Sequence, residues 1–327
     1  MSSTSNRILL TGGAGFIGSH VAEGLLRRGA QLAIVDNMDD FYSPLAKRAN
    51  LAEVRKVGDF CFHECDLCDF EELRRAIHEF QPHTIIHLAA RAGVRPSIEQ
   101  PQLYERVNVG GTINLLELAR QLGIKRFIFG SSSSIYGVTN RVPFEEDDAC
   151  MRPISPYAAT KLAGEFLCHT YAHLYGLPTV CLRFFTVYGP RQRPDLAIRK
   201  FATLMESGKP IFVFGDGTMG RDYTYTDDIV AGVLAAMDYQ FPSGETPFDV
   251  FNLGNSHPVS LNELIETLER VTGRTAIREQ RPLQPGDVPI TWAKIDKATR
   301  MLGYRPTTSF EDGLHRFVHW LREQKDK

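Results

Sequence analysis

Short apolar runs alternate with amphipathic stretches along the first half of the chain. Gln31 to Asp36, Asp59 to Asp66, Thr84 to Ala90, Arg126 to Ser131 and Pro178 to Phe185 read as strands, with helical patterns between them. That alternation predicts an α/β fold, a doubly wound parallel sheet of Rossmann type covered by helices on both faces. An earlier run, Ile8-Leu9-Leu10-Thr11, breaks into Gly12-Gly13-Ala14-Gly15-Phe16-Ile17-Gly18 and resumes as Val21-Ala22-Glu23-Gly24-Leu25-Leu26. The spacing predicts strand, tight turn, then helix. Farther on, Gln102 to Leu122 predicts one helix packed through Val107, Leu115, Leu116, Leu118 and Ala119, with Asn108 among them. After Pro178 the alternation weakens, and Pro190 to Gly220, Phe251 to Asn255 and Arg281 to Trp292 are richer in Pro, Gly and Arg. Residues 1–180 therefore read as a cofactor-binding domain to which later segments return, and 181–327 as mainly a smaller, interleaved C-terminal substrate lobe.

Ligands of such sheets sit beyond the carboxyl ends of the strands, so those ends are the positions to watch. At the first, the glycines can be read as Gly12-x-x-Gly15-x-x-Gly18 or Gly13-x-Gly15-x-x-Gly18. The helix that starts at Phe16 and Ile17 aims unpaired N–H groups at that turn, where a pyrophosphate fits. Asp36 ends the next strand, where a carboxylate accepts both hydroxyls of an adenosine ribose and repels a 2′-phosphate, which favours NAD over NADP. Asn37, Asp66, Leu67, Ala89 and Ala90 occupy further strand ends and are expected to line the cofactor, Asp66 near the adenine edge. Asn108 is expected to fix a backbone or a water beside the site.

Lys and Arg number 37 against 39 Asp and Glu in 327 residues, a formal net charge of −2. Bulk charge thus implies neither a nucleic acid nor an acidic membrane as partner. Met1 to Arg7 is polar, without the apolar core of a signal peptide, and no later run reaches the length of a membrane span, so a soluble cytoplasmic protein is expected. Six cysteines, at 61, 65, 68, 150, 168 and 181, are too scattered for a disulfide scaffold. Three fall in Cys61-Phe62-His63-Glu64-Cys65-Asp66-Leu67-Cys68, but that stretch begins on an apparent strand and no second ligand pair follows, so no metal is expected.

The reactive groups lie in Ser155-Pro156-Tyr157-Ala158-Ala159-Thr160-Lys161. Ser155 can cap a helix and Pro156 suits its first turn, which places Tyr157 and Lys161 one turn apart on a common face. A phenol of reference pKa about 10 is a poor base at neutral pH. A neighbouring ammonium and a positive nicotinamide ring both favour its ionised form. Ser132 or Ser133, at the serine-rich strand end, can reach the same substrate oxygen as Tyr157.

Together these motifs resemble the extended short-chain dehydrogenases/reductases, through Thr11 to Gly18, Ser131-Ser132-Ser133-Ser134-Ile135-Tyr136-Gly137 and Tyr157 to Lys161. Within that family the chain is most similar to the UDP-glucuronate 4-epimerases. That likeness rests on Asp36 to Tyr42, Leu182 to Pro190, Arg193-Pro194-Asp195, Arg221 to Asp228 and Gly303 to Thr308. The resemblance implies NAD as cofactor, Tyr157 as base, Lys161 holding the nicotinamide ribose and tuning Tyr157, and Ser132 assisting at the sugar hydroxyl. It implies Arg221 on the substrate diphosphate and Asp287 on the uridine ribose, although Gln284 departs from the basic residue that often precedes the adjoining Pro-Gly. It further implies a homodimer through the helices containing Asn108 and Tyr157.

A 4-keto uronate is a β-keto acid inclined to lose carbon dioxide, so such an enzyme must restrain the carboxylate. Thr186 and Arg193 are the candidates, with Ser133 as a further substrate contact. A 4,6-dehydratase of this family carries Asp-Glu where Ser133-Ser134 stand, and a UDP-glucuronate decarboxylase typically carries Glu at Ser134. The alternatives kept are a UDP-glucose 4-epimerase and that decarboxylase. A non-reacting dinucleotide sensor has no need of the hydroxyl, phenol and ammonium together.

Overall fold

A computed structural model describes residues 6–138, 141–150, 152–282 and 288–324. Seven parallel strands form the main sheet in the order β10-β6-β5-β4-β1-β2-β3, with β1 (Arg7–Thr11), β2 (Gln31–Asp36), β3 (Cys61–Glu64), β4 (Thr84–His87), β5 (Arg126–Ser132), β6 (Thr179–Phe184) and β10 (Phe248–Leu253). Strand order reverses between β1 and β4, the place where a doubly wound sheet opens a crevice. The remaining strands are β7 (Thr186–Tyr188), β8 (Ile211–Phe214), β9 (Gly220–Tyr225), β11 (Pro258–Ser260) and β12 (Arg278–Arg281). They form a three-stranded sheet, β11-β9-β7, and a β12-β8 pair. Helices are α1 (Phe16–Arg27), α2 (Pro44–Val57), α3 (Phe70–Phe80), α4 (Val94–Glu99), α5 (Pro101–Tyr104), α6 (Gly111–Gln121), α7 (Pro156–Tyr175), α8 (Ala197–Glu206), α9 (Thr226–Asp238), α10 (Leu261–Thr272), α11 (Asp296–Leu302) and α12 (Phe310–Glu323).

Strands covered on both faces are continuously apolar, which is why Ile8 to Leu10 and Leu32 to Val35 are fully or almost fully buried. On one face Ile34 and Ile128 pack with Val21 and Leu25 of α1 and with Ile229 and Val233 of α9. On the other, Val35 and Phe127 pack with Leu73 and Ile77 of α3 and with Leu115 and Ala119 of α6. Thus β10 and α9, from late in the sequence, complete the first sheet and its cover. A separate core of Tyr188, Phe201, Tyr223, Leu264 and Phe317 lies around the smaller sheet.

Two expectations are corrected. The third strand is shorter than Asp59 to Asp66, because the Asp36–Glu64 pairing is where β3 ends and Asp66 turns to take the Cys68 N–H. The helix expected over Gln102 to Leu122 is interrupted by a π-helical turn, Glu105–Gly110, between α5 and α6. Gly111 lies so close to β3's exit that an added Cβ would meet the Leu67 side chain at 2.9 Å. The wider turn brings Asn108 inward to the loop after β4, where its amide bonds both the N–H and the carbonyl of Arg91.

Candidate active site

The glycine turn is shaped by close approaches. Gly12 adopts φ +74° and an added Cβ would meet the Ala89 nitrogen at 2.7 Å. Gly15 N–H donates to Gly12 O at 3.0 Å, and a Cβ on Gly18 would overlap that same oxygen. The working triplet is therefore Gly12, Gly15 and Gly18, while Gly13 gives room to Ile34 of β2. Gly15 is the N-cap of α1, and Phe16, Ile17 and Gly18 form its first turn. An added Cβ at Gly15 would meet Gly12 O at 3.1 Å, a tight contact with backbone, and the Tyr42 hydroxyl at 3.9 Å. A pyrophosphate fits that cradle, with the free N–H groups of α1 directed at it.

Asp36 is nearly buried at the end of β2 and accepts from the N–H groups of Ala14 (3.2 Å) and Met38 (3.0 Å). Lys47 lies 3.5 Å from it. That ammonium offsets much of the carboxylate's charge, so discrimination against a 2′-phosphate rests on the remaining lone pairs for a ribose diol more than on repulsion. Asn37 donates to Asp66 at 2.9 Å, which joins the ends of β2 and β3. Burial acts against the Asp66 charge, but the Cys68 N–H and the Asn37 amide outweigh it and hold its carboxyl below the ordinary value. Leu67 is buried, its carbonyl held by Asn114. Ala89 donates to the Thr11 hydroxyl at 3.2 Å, with Ala90 next to it, so the expected cofactor residues gather at the carboxyl ends of β1 to β4.

On the other side of the crevice, Ser155 caps α7 by accepting the Ala158 N–H at 3.1 Å, and Pro156 opens its first turn. Gly164 lets α7 lie against β5, since a Cβ there would strike the Phe129 ring. Lys161 is thereby buried, its ammonium 2.7 Å from Gly130 O and over the Phe129 ring. Burial pushes it down to about 8. The Tyr157 phenol faces the Ser132 hydroxyl, and burial raises its pKa above the ordinary value although that hydroxyl and the nearby Arg193 charge pull it down. Ser132 ends β5 and also caps the 3-10 turn Ser133–Tyr136, with Ser133 at its first position. Beneath, Arg183 and Glu165 form a buried two-pronged pair at 3.0 and 2.9 Å, and Ser131 donates to Glu165.

Thr186 begins β7. Arg193, in the loop after β7, has a side chain only 15% exposed, gripped by Asp195 at 3.0 and 2.9 Å and lying over the Phe41 ring. It is a placed charge within electrostatic reach of Tyr157. Arg221 lies on β9, its guanidinium donating to Gly220 O at 2.8 Å. Asp287, like Gln284, lies outside the described residues.

Other residues at the site carried no clear signal in the sequence. Tyr104 sets its ring edge-to-face with Tyr157 at 6.3 Å and donates to Ala92 O. Arg91, next to the cofactor strand end, pairs with Asp39. Thr160 bonds Asn108. Among the described residues no group of three or more His, Cys, Asp or Glu side chains could hold a metal, and no helix is long and apolar enough to cross a membrane.

A glycine turn over NAD-type strand ends, facing a Ser–Tyr–Lys set, is a dehydrogenase-like arrangement. The protein family described as GDP-mannose 4,6 dehydratase matches residues 9–317. The chain belongs to this family of extended short-chain dehydrogenases/reductases. The chain is 45% identical over 316 residues to the UDP-glucuronate 4-epimerase of Thermodesulfobacterium geofontis, covering 96% of each chain. It is 44% identical to UDP-glucuronate 4-epimerase 4 of Arabidopsis thaliana, over 97% of this chain and 76% of that one. Its fold matches the Bacillus cereus UDP-glucuronic acid 4-epimerase in complex with UDP-glucuronic acid and NAD, with TM-score 0.89, 36% identity and coverage of 97% and 99%. The Thermotoga maritima UDP-glucose 4-epimerase with UDP-glucose matches with TM-score 0.89, 34% identity and coverage of 98% and 99%.

Proposed function

We propose that the chain is an isomerase that converts UDP-glucuronate to UDP-galacturonate with tightly held NAD. The observation that carries the reading is the gathering of Ser132, Tyr157 and buried Lys161 at the end of β5, set opposite the Gly12–Gly18 turn and Asp36. The relatives supply the substrate: enzymes named for UDP-glucuronate match nearly the whole chain. Gly12, Gly15, Phe16, Ile17 and Gly18 would hold the pyrophosphate, Asp36 and Asn37 the adenosine ribose, and Asp66 and Leu67 the adenine side. Ala89, Ala90 and Asn108 would line the nicotinamide half.

Tyr157 takes the O4 proton of the sugar, and Ser132 hydrogen-bonds the same oxygen. Bound NAD supplies the acceptor, and later the donor, of the C4 hydride. The sugar is then a transient 4-ketone, and Tyr157, now the phenol that carries the O4 proton, is held by α7 beside Ser132 to serve either face. Once the ketone has turned about its diphosphate link it would present its opposite face, and Tyr157 would give the proton back to O4. Arg221 and Asp287 would anchor the UDP, so that binding energy is spent on the part that does not react. Thr186, Ser133 and Arg193 would hold the C6 carboxylate and so slow loss of carbon dioxide from the ketone.

Incubation with UDP-glucuronate deuterated at C4 tests this. UDP-galacturonate that keeps the deuterium is the expected product. A UDP-pentose would instead mark a decarboxylase, and turnover of UDP-glucose alone a neutral-sugar epimerase. We further infer a homodimer through α6 and α7, which expose Ile113 and Phe166. A cytoplasmic setting fits the six unpaired cysteine thiols. Residues 1–180 would form the NAD-binding domain and 181–327 mainly the sugar lobe, the two interleaved.

A further inference from the structure

His87 closes β4 with its ring buried between β1 and the start of α6. Nothing in the proposed chemistry uses it. Its hydrogen bonds nevertheless have only one consistent direction. The Thr112 hydroxyl lies 2.5 Å from Asn108 O, and a carbonyl only accepts, so the Thr112 proton points there. His87 Nε2, 3.0 Å from that hydroxyl oxygen, must then donate. A neutral imidazole carries one N–H, so Nδ1 accepts, and the Thr11 hydroxyl at 2.8 Å gives it a proton. That hydroxyl in turn accepts the Ala89 N–H.

The series continues beyond Asn108. Its Oδ1 takes the Arg91 N–H at 2.8 Å, which fixes the amide's orientation, and its Nδ2 donates to Thr160 Oγ1 at 3.0 Å. The Thr160 proton goes to Tyr157 O at 2.8 Å. A second proton on His87 is disfavoured, since burial and then the Lys161 charge push the ring down to about 3. Thr11 precedes the Gly12 turn that cradles the dinucleotide, and Tyr157 bears the reacting phenol. Between them every hydroxyl both donates and accepts.

We propose that His87 is a positioning residue, which as the Nε2–H tautomer couples the glycine turn to the backbone of Tyr157 through Thr112, Asn108 and Thr160. The proposal rests on the epimerase reading for its kinetic test. A sugar that must turn over between two hydride transfers needs a phenol that stays fixed relative to the cofactor, and displacements near 1 Å cost about a hundredfold in rate. A series anchored at both ends supplies that rigidity.

The test begins with wild-type turnover of UDP-glucuronate; its absence would refute the epimerase reading, and the tautomer measurement would still judge the proposal about His87. By 15N NMR of histidine-labelled protein, with the signal assigned through its loss in His87→Gln, His87 is expected as Nε2–H from pH 6 to 9. A Nδ1–H tautomer or an imidazolium overturns the proposal. Gln offers an oxygen and an N–H where the ring nitrogens stand, so His87→Gln is expected to keep kcat within about threefold. His87→Leu and Thr160→Val are each expected to lower kcat about tenfold with KM for UDP-glucuronate unchanged within about twofold. The double variant is expected to be no slower than the slower single one, because both cut the same series. Losses that multiply to about a hundredfold, a His87→Leu enzyme with normal kcat, or a folded but inactive His87→Gln enzyme would each overturn it. If His87→Leu does not fold, Thr112→Val, which removes the acceptor of Nε2–H, takes its place with the same expected outcomes.

Discussion

Replacing Lys161 by Met should stabilise the folded protein while it abolishes turnover. The ammonium is buried, and burial moves its pKa from 10.5 to about 8. A gap of about 2.5 pH units at about 1.4 kcal/mol each means that keeping the charge costs the native state about 3 kcal/mol at pH 7. Loss of the hydrogen bond to Gly130 O, about 1 kcal/mol, offsets part of the gain, and Met fills a similar volume. The expected result is a variant about 2 kcal/mol more stable at pH 7. The sign of the pH dependence follows from the depressed pKa. Between about 8 and 10.5 the unfolded chain binds the Lys161 proton and the native protein has released it, so wild-type stability rises through that window. The advantage of Met is complete below about 8 and shrinks as pH climbs toward 10.5. Urea unfolding of NAD-stripped wild type and variant at pH 7 and pH 9.5, with NMR of product for turnover, measures both effects. A variant less stable than wild type at pH 7, or a gap that does not narrow at pH 9.5, would refute the account of Lys161 as a group kept at the expense of stability.

Tyr157→Phe should retain NAD and lose nearly all turnover, read from cofactor absorbance after gel filtration and from product NMR; wild-type activity would remove Tyr157 from its role. Glu165→Gln leaves the Arg183 charge buried beside a neutral amide and sets an NH2 against the Arg183 Nη2 donor, so a loss of about 3 kcal/mol in urea unfolding is expected. A loss below about 1 kcal/mol would show that water reaches Arg183. Arg193→Ala should reduce turnover of UDP-glucuronate far more than that of UDP-glucose and increase the share of pentose product. Equal losses on both sugars would mean general damage to the loop.

The main sheet and the cofactor turn were legible because both are local patterns. An apolar run that breaks into Gly12, Gly15 and Gly18, followed by a strand ending in Asp36, has few other physical readings. Tyr157 and Lys161 were legible because one helical turn fixes their relation. The π turn at Glu105–Gly110 was not, because its cause is tertiary: Gly111 against Leu67 and Asn108 drawn to Arg91. The same holds for Tyr104 and His87, whose neighbours come from distant parts of the chain. Asp36 was read correctly as a strand-end carboxylate, yet its partner Lys47 lies in the next helix and gave no sign of pairing. In Arg221-Asp222, sequence attention fell on the arginine, although the aspartate is the one completely buried.

That aspartate has a mechanical consequence. One Asp222 carboxylate accepts the N–H groups of Asn255 (2.7 Å), Ser256 (3.0 Å) and Ala293 (2.9 Å), which belong to the exit from β10 and to the approach to α11. Passages that converge on a single clasp cannot bend independently, so the exit from β10 and the approach to α11 are held together with β9.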